Sequence, residues 1–329
     1  MLFRSDIGVP LGQAYPKIMA VFQKAYPNIK VEAVSIHTSN FTARAGEERN
    51  NGKFLWDIFV GGPDVDLYNL GNKAAFEDIK ARIVDKSILD DSKWLYGFDA
   101  GFSDVGKKYA YNFGTLLWSG AFFVNRDVIP ESDIKTVDDL VKNPGKFKGK
   151  VVWQDPRGSG SGVNSSAMIM EKYGEDALRN LYRSADVVAT ADQRQLIEFV
   201  VRGRYPIGVG LLDRELRVTF QSQGVGMNVM GVIIPGVETA IPGSSSVVVV
   251  NKAPHPNAGK VFLNWLLSQE GQAAFSEIAT ENSRRLDVKP ANAETMPDKS
   301  AKQPPLNTQA ESFGPQRSKA NAISKELLK

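Results

Sequence analysis

Two hydrophobic periods take turns along the chain. Leu11, Tyr15, Ile18, Met19, Phe22 and Tyr26 recur at helical spacing, and Pro27 closes that segment. Ile29 to Ile36 alternates and is rich in β-branched residues, which predicts a strand. A polar helix around Ala43 to Asn50 then leads into Phe54 to Val60, a short apolar run closed by Gly61-Gly62-Pro63. Leu2-Phe3 reads as the remnant of a first strand whose beginning is missing. Strand, helix, strand, helix, strand is the order of a parallel α/β sheet. Ligands of such sheets sit outside the carboxyl ends of the strands. Those ends fall at Ser5-Asp6, His37-Thr38-Ser39 and Gly61-Gly62, which makes Ser5, Thr38, Ser39 and Gly62 candidate ligand contacts.

A second α/β pattern begins after the aromatic segment Tyr109 to Val124. Gly149 to Trp153 is a strand that breaks at Asp155-Pro156-Arg157-Gly158-Ser159-Gly160-Ser161-Gly162, with a helix from Val163 to Tyr173. A helix with Ala177, Leu178, Leu181 and Tyr182 on one face, a strand at Asp186 to Ala189, a helix over Gln195 to Arg202 and a strand at Ile207 to Leu212 complete it. Ser244 to Val250 is a further strand, and Pro256 opens a helix that buries Ala258, Val261, Phe262, Trp265 and Leu266. The tail from about Met296 reads as loosely packed and ends in a short helix at Ile323 to Leu328.

With 329 residues the chain is long enough for two lobes. Its 40 basic and 37 acidic residues are well mixed, so the net charge of +3 gives no electrostatic reason to expect nucleic acid. The absence of cysteine removes disulfides, thiolate metal sites and a cysteine nucleophile, and two histidines, His37 and His255, leave no multi-histidine metal site. Met1 to Asp6 lacks the apolar centre of a signal peptide, so the chain is expected to start after one.

Three stretches together resemble the bacterial extracellular solute-binding proteins, in the ferric-ion-binding-like branch of the type II periplasmic binding proteins. They are Phe147 to Gly162, Gly203-Arg204-Tyr205-Pro206-Ile207-Gly208-Val209-Gly210, and Asn251 to Lys260 followed by Phe262 to Gln272. The resemblance implies two Rossmann-like α/β lobes joined by crossing hinge strands, with residues 1–117 and 246–329 in one and 118–245 inserted as the other. It also implies closure around a small-molecule ligand and delivery to the permease of an ABC transporter. The protein is then a periplasmic or lipid-tethered monomer with no cofactor and no catalysis.

Iron-binding members of that branch usually carry adjacent tyrosines after the strand that corresponds here to Ile207 to Gly210. This chain has Leu211-Leu212-Asp213-Arg214-Glu215 instead. Arg214 repels a cation, while Asp213 and Glu215 keep a carboxylate-bound metal open. An anionic or zwitterionic organic solute, carboxylate or phosphate-bearing, is therefore the expected cargo. A ferric ion or other metal–anion pair is the alternative, and a small-molecule α/β enzyme the weaker one. The loop from Arg157 to Gly162 offers converging amides and a helix N-terminus. Arg157, Ser159, Ser161 and Gly162 are its candidate contacts, and Asp213 and Arg214, after the strand at Ile207 to Gly210, are further ones. Such a loop could equally only cap a helix, and Arg157 could only pin it through Asp155. Tyr111 and Trp118 are candidate walls, and Ser245 a donor or part of a polar hinge. The enzyme reading lacks a constellation: Gly160 stands where a nucleophile elbow needs serine, and no Gly-Lys-Ser or Gly-Lys-Thr follows.

Overall fold

The computed structural model describes residues 2–7, 14–36, 38–118, 121–158, 160–212 and 216–328. Strand β1 (Leu2–Ile7), helix α1 (Tyr15–Ala25), β2 (Lys30–Ser35), α2 (Thr38–Asn50), β3 (Ile58–Gly61), α3 (Val65–Gly71), α4 (Ile79–Arg82), β4 (Tyr111–Asn112) and β5 (Leu116–Leu117) come first. Then follow β6 (Phe122–Asn125), α5 (Val137–Lys142), β7 (Val151–Gln154), α6 (Ser161–Tyr173), α7 (Glu175–Ala185), β8 (Val188–Thr190), α8 (Gln193–Val201), β9 (Ile207–Val209) and β10 (Val229–Val232). The chain ends with β11 (Ala240–Ile241), β12 (Ser246–Val249), α9 (Pro256–Leu267), α10 (Gln269–Ala279) and α11 (Gly314–Leu327).

These elements form two compact units: Met1–Leu117 with Ala240–Ser312, and Trp118–Thr239 with Phe313–Lys329. The boundary of the inserted unit therefore falls between Thr239 and Ala240 rather than between residues 245 and 246, because β11 pairs with β5 and belongs to the first unit. The expected placement of the tail in the first unit is also corrected. Helix α11 is 14 residues long and belongs to the second unit. It buries Arg317, Ala320, Ile323 and Ser324. A buried hydroxyl chain fixes it there: Ser324 Oγ lies 3.0 Å from Tyr182 Oη, which lies 2.6 Å from Ser166 Oγ of α6.

The first unit holds a five-stranded sheet in the order β2-β1-β3-β12-β4. Strands β2, β1 and β3 run parallel, and β12 is antiparallel to β3 and β4. The central strands β3 and β12 are buried along their whole length, as their unbroken apolar runs require. Tyr15, Ile18, Met19 and Phe22 of α1 pack on one face, with Phe22 edge-on to Phe262 of α9 at 5.1 Å. On the other face Phe41 of α2 stacks on Phe59 at 4.4 Å.

The second unit repeats the plan in the order β10-β6-β9-β7-β8, with β7 parallel to both β8 and β9, and β6 antiparallel to β9 and β10. Its sheet packs Val152, Leu196, Ile197 and Val200 into one cluster. In each unit three parallel strands end on the same edge, which gathers the loops that follow them.

Candidate functional site

In the second unit the loops after β7, β8 and β9 converge on the N-terminus of α6. Gly160 precedes that helix with φ of +114°, a value that L side chains rarely adopt. Gly162 packs so tightly on β7 that an added Cβ would lie 1.8 Å from Gln154 O. The first N–H groups of a helix have no partner within it. Here Gln154 reaches back, and its Oε1 accepts from Gly162 N at 2.7 Å. Ser161 Oγ donates to Gly210 O at 2.5 Å. Gln193, the first residue of α8, ties the three loops together. Its Nε2 donates to Gly210 O at 2.9 Å and to Ser161 Oγ at 3.3 Å, while its Oε1 accepts from Leu212 N at 3.3 Å. Asn164, one turn into α6, is buried, and its Oδ1 has no hydrogen-bond partner. The cluster is thus built from neutral amides and hydroxyls at the positive end of a helix dipole.

Sequence reasoning placed Ser161 and Gly162 here but missed Gln154, Gln193 and Asn164. The signal for the first two was their position: Gln154 is the last residue of β7, and Gln193 follows the Asp192 that caps α8. Ser159, Asp213, Arg214 and His37 lie outside the described residues.

Arg157 is engaged on Asp155, as the second of its two readings expects. Its Nε and Nη2 donate to the two oxygens of Asp155 at 2.9 Å each, its backbone N donates to Asp155 Oδ1 at 3.0 Å, and Nη1 donates to Leu328 O at 3.4 Å. A planar fork matched to a carboxylate in this way braces the loop. These hydrogen bonds from Arg157 hold the Asp155 carboxyl below its ordinary value, against partial burial that would raise it. A depressed carboxylate contributes stability above its unfolded pKa of about 3.9, and that contribution is lost as pH falls through the folded value. Both side chains are partly exposed, at 33% and 22%. Arg157→Ala is therefore expected to cost under about 1 kcal/mol near neutral pH. The gap from the parent protein should close below about pH 4, as read by urea denaturation across pH.

The other expected contacts sit in the first unit or at its border. Ser5 lies inside β1, paired with Ala33 and Ile58, and the strand runs on to Ile7, so Ser5 is not at the strand end. Thr38 Oγ1 donates to Gly62 O at 2.9 Å, which fastens the start of α2 to the end of β3. Ser39 is exposed on the first turn of α2. Gly62 packs on the backbone of Gly243, whose O would lie 2.6 Å from an added Cβ. Ser245 is fully buried and its hydroxyl donates to Glu281, so that hydroxyl is engaged inside the first unit.

Tyr111 is likewise corrected from cleft wall to core. It is 0% exposed, stacks on Phe98 at 4.5 Å and meets Trp94 edge-on at 5.6 Å. Phe98 and Phe102 close over its ring. Trp118 packs half-buried on the core cluster of the second unit, with its backbone N–H donating to Thr239 O at 2.9 Å.

Among the described residues, no group of three or more His, Asp or Glu side chains is placed to hold a metal ion. No described helix is long and apolar enough to cross a membrane. The chain shares its fold with several solved structures. Iron-bound HitA from Pseudomonas aeruginosa matches with a TM-score of 0.73 at 14% identity, covering 100% of both chains. A Trichodesmium protein (IdiA, FutA) in complex with iron and citrate gives 0.71 at 20% identity over 100% of this chain and 99% of that one. The substrate-binding protein of an ABC transporter from Agrobacterium tumefaciens gives 0.70 at 18% identity over 100% and 94%. These likenesses carry the fold, that of the two-lobed type II periplasmic binding proteins. None of the curated proteins matches. The family described as bacterial extracellular solute-binding protein matches residues 17–284, most of the chain, and the protein belongs to that family.

Proposed function

We propose that this protein is the receptor subunit of an ABC importer, that it works outside the cytoplasm as a monomer, and that it carries a small anionic or zwitterionic organic solute to the permease. The observation that carries the choice of solute is the N-terminus of α6. It opens at Gly160, which supplies no capping side chain, where serine or aspartate would ordinarily serve. A helix start without a carboxylate of its own favours an anion from outside. Asn164 Oδ1 supplies an acceptor without a donor in the same first turns, which suits an ammonium or hydroxyl group on the same solute.

The alternative cargo is a ferric ion held with an anion. It is brought forward by the iron in two of the similar structures and by Asp213 and Glu215, whose oxygens are hard donors. Against it stands the absence of paired tyrosines in Leu211 to Glu215.

The test is a thermal-shift and calorimetric panel of carboxylates, phosphonates and amino acids, run beside ferric chloride with and without citrate. Binding of an organic member is expected, with no visible charge-transfer colour from iron. Gln193→Ala, which frees Ser161, Gly210 and Leu212 from their common tie, is expected to weaken that binding about tenfold, the value of one hydrogen bond. Binding untouched by Gln193→Ala would move the site elsewhere, and a coloured stoichiometric iron complex would replace the solute by the metal.

A further inference from the structure

One cavity has no part in that reading. It lies in the first unit, about 280 Å³ in volume, and is lined by Arg49, Lys73, Lys252, Asn50, Phe54 and Leu70, together with Gly46. It sits at the far end of α2 from the carboxyl ends of the strands. Thr38, at the start of that helix, touches Gly62 at the end of β3. Arg49 stands eleven residues further on, roughly 16 Å along the axis at 1.5 Å per residue.

Three cations line this cavity, and no carboxylate does. Arg49 is locked in place: Nη1 donates to Asn251 O at 3.0 Å and Nη2 to Ala74 O at 3.2 Å, joining three segments of chain. Asn251 N donates in turn to Ala75 O at 2.8 Å, and Asn251 Nδ2 to Ala74 O at 3.1 Å. The walls are therefore built rather than draped. Arg49 and Lys252 lie over one ring, that of Phe54, at 5.2 and 5.0 Å. Burial lowers the Arg49 pKa from its ordinary value, the sign of a charge partly stripped of water. Glu48, the nearest acid along α2, is engaged on Arg44 and on Trp56 Nε1, each at 2.9 Å. Like charges held around one apolar ring repel unless an anion lies among them.

A cation in the last turn of a helix is common, because it answers the helix dipole, and Arg49 alone needs no ligand. Lys73 and Lys252 go beyond that: they come from two other segments, and neither makes an ion pair among the described residues. We infer that this cavity is a second anion-binding site, taking a phosphate group between Lys73, Lys252 and Arg49, with any organic part against Phe54 and Leu70. The phosphate can belong to a free molecule or to a lipid headgroup.

The test uses the whole protein and the double variant Lys73→Gln with Lys252→Gln. Both positions are exposed, so folding is expected to be unchanged, and a thermal melt checks it. Inorganic phosphate and phenyl phosphate are titrated at low salt by NMR or calorimetry, and vesicles containing phosphatidic acid are tested by co-sedimentation. Binding of a free phosphate, weakened at least tenfold in the double variant, supports a soluble ligand. Binding of the vesicles alone, equally sensitive, supports a headgroup. No binding in either arm, or binding that the double variant leaves intact, overturns the inference. The solute panel is independent of it, because Gln193 lies in the other unit and its response does not depend on these lysines.

Discussion

Gly162→Ala is expected to unfold the start of α6 and abolish solute binding, at a cost on the order of 3 kcal/mol. The added methyl would stand 1.8 Å from Gln154 O and 2.7 Å from Gln154 C, both backbone atoms of β7. No rotation of a side chain relieves that, so either the helix start or the strand end must move. Moving them breaks the bond from Gly162 N to Gln154 Oε1 and the tie between Ser161 and Gly210. Gly158→Ala, in the same loop, is the control. Nothing lies within 4 Å of its added Cβ, so a change within about 0.5 kcal/mol is expected. Chemical denaturation of both variants, with affinity for whichever solute the panel finds, reads the difference. Similar behaviour of the two would mean that the tight crossing at Gly162 does not hold the site.

Arg284→Met carries the second large effect, in the first unit. Arg284 is 5% exposed and donates to three backbone carbonyls: Asn112 O at 3.2 Å, Leu95 O at 2.6 Å and Gly97 O at 3.1 Å. Its guanidinium lies 6.0 Å from the centre of the Tyr111 ring. Methionine fills the volume but leaves three acceptors without a donor. A loss of about 3 kcal/mol or more is expected, since each buried group left unpaired costs about 1 to 3 kcal/mol. Arg284→Lys keeps the charge but not the planar fork, and an intermediate loss is expected. An Arg284→Lys variant as stable as the parent protein would show that charge alone, and not the three-way donation, holds these segments.

The parts of this fold that were legible in the sequence are those that bury apolar residues at a regular period. Helix α1 and strands β2, β7, β9 and β12 fall where their patterns put them, within a few residues. Helix α11 was read at less than its length because its buried seam is Arg317, Ala320 and Ser324 as much as Ile323. That helix is held by hydroxyls of Tyr182 and Ser324, which leave no hydrophobic period to read. The end of the inserted unit was placed at residue 245 rather than 239 because the two-residue strand β11 carries almost no pattern of its own. At the site, the glycine–serine loop marked the place, but not which groups face which. Asp155 was the local partner that captured Arg157, and the carboxamides of Gln154 and Gln193 became visible as part of the site only once β7, β8 and β9 were side by side. Tyr111 failed for the converse reason: an aromatic beside a strand end is core whenever other aromatics close over it, as Phe98 and Phe102 do.

The central claim is that the cargo is an organic anion or zwitterion, taken up and released unchanged. Native mass spectrometry of the protein, purified without refolding and compared with the same sample after dialysis against denaturant and renaturation, tests it most directly. A single organic mass increment, lost on dialysis, identical in mass when rebound and unaccompanied by iron, is the predicted result; stoichiometric iron on the protein, or a bound molecule that changes mass on incubation, would contradict it.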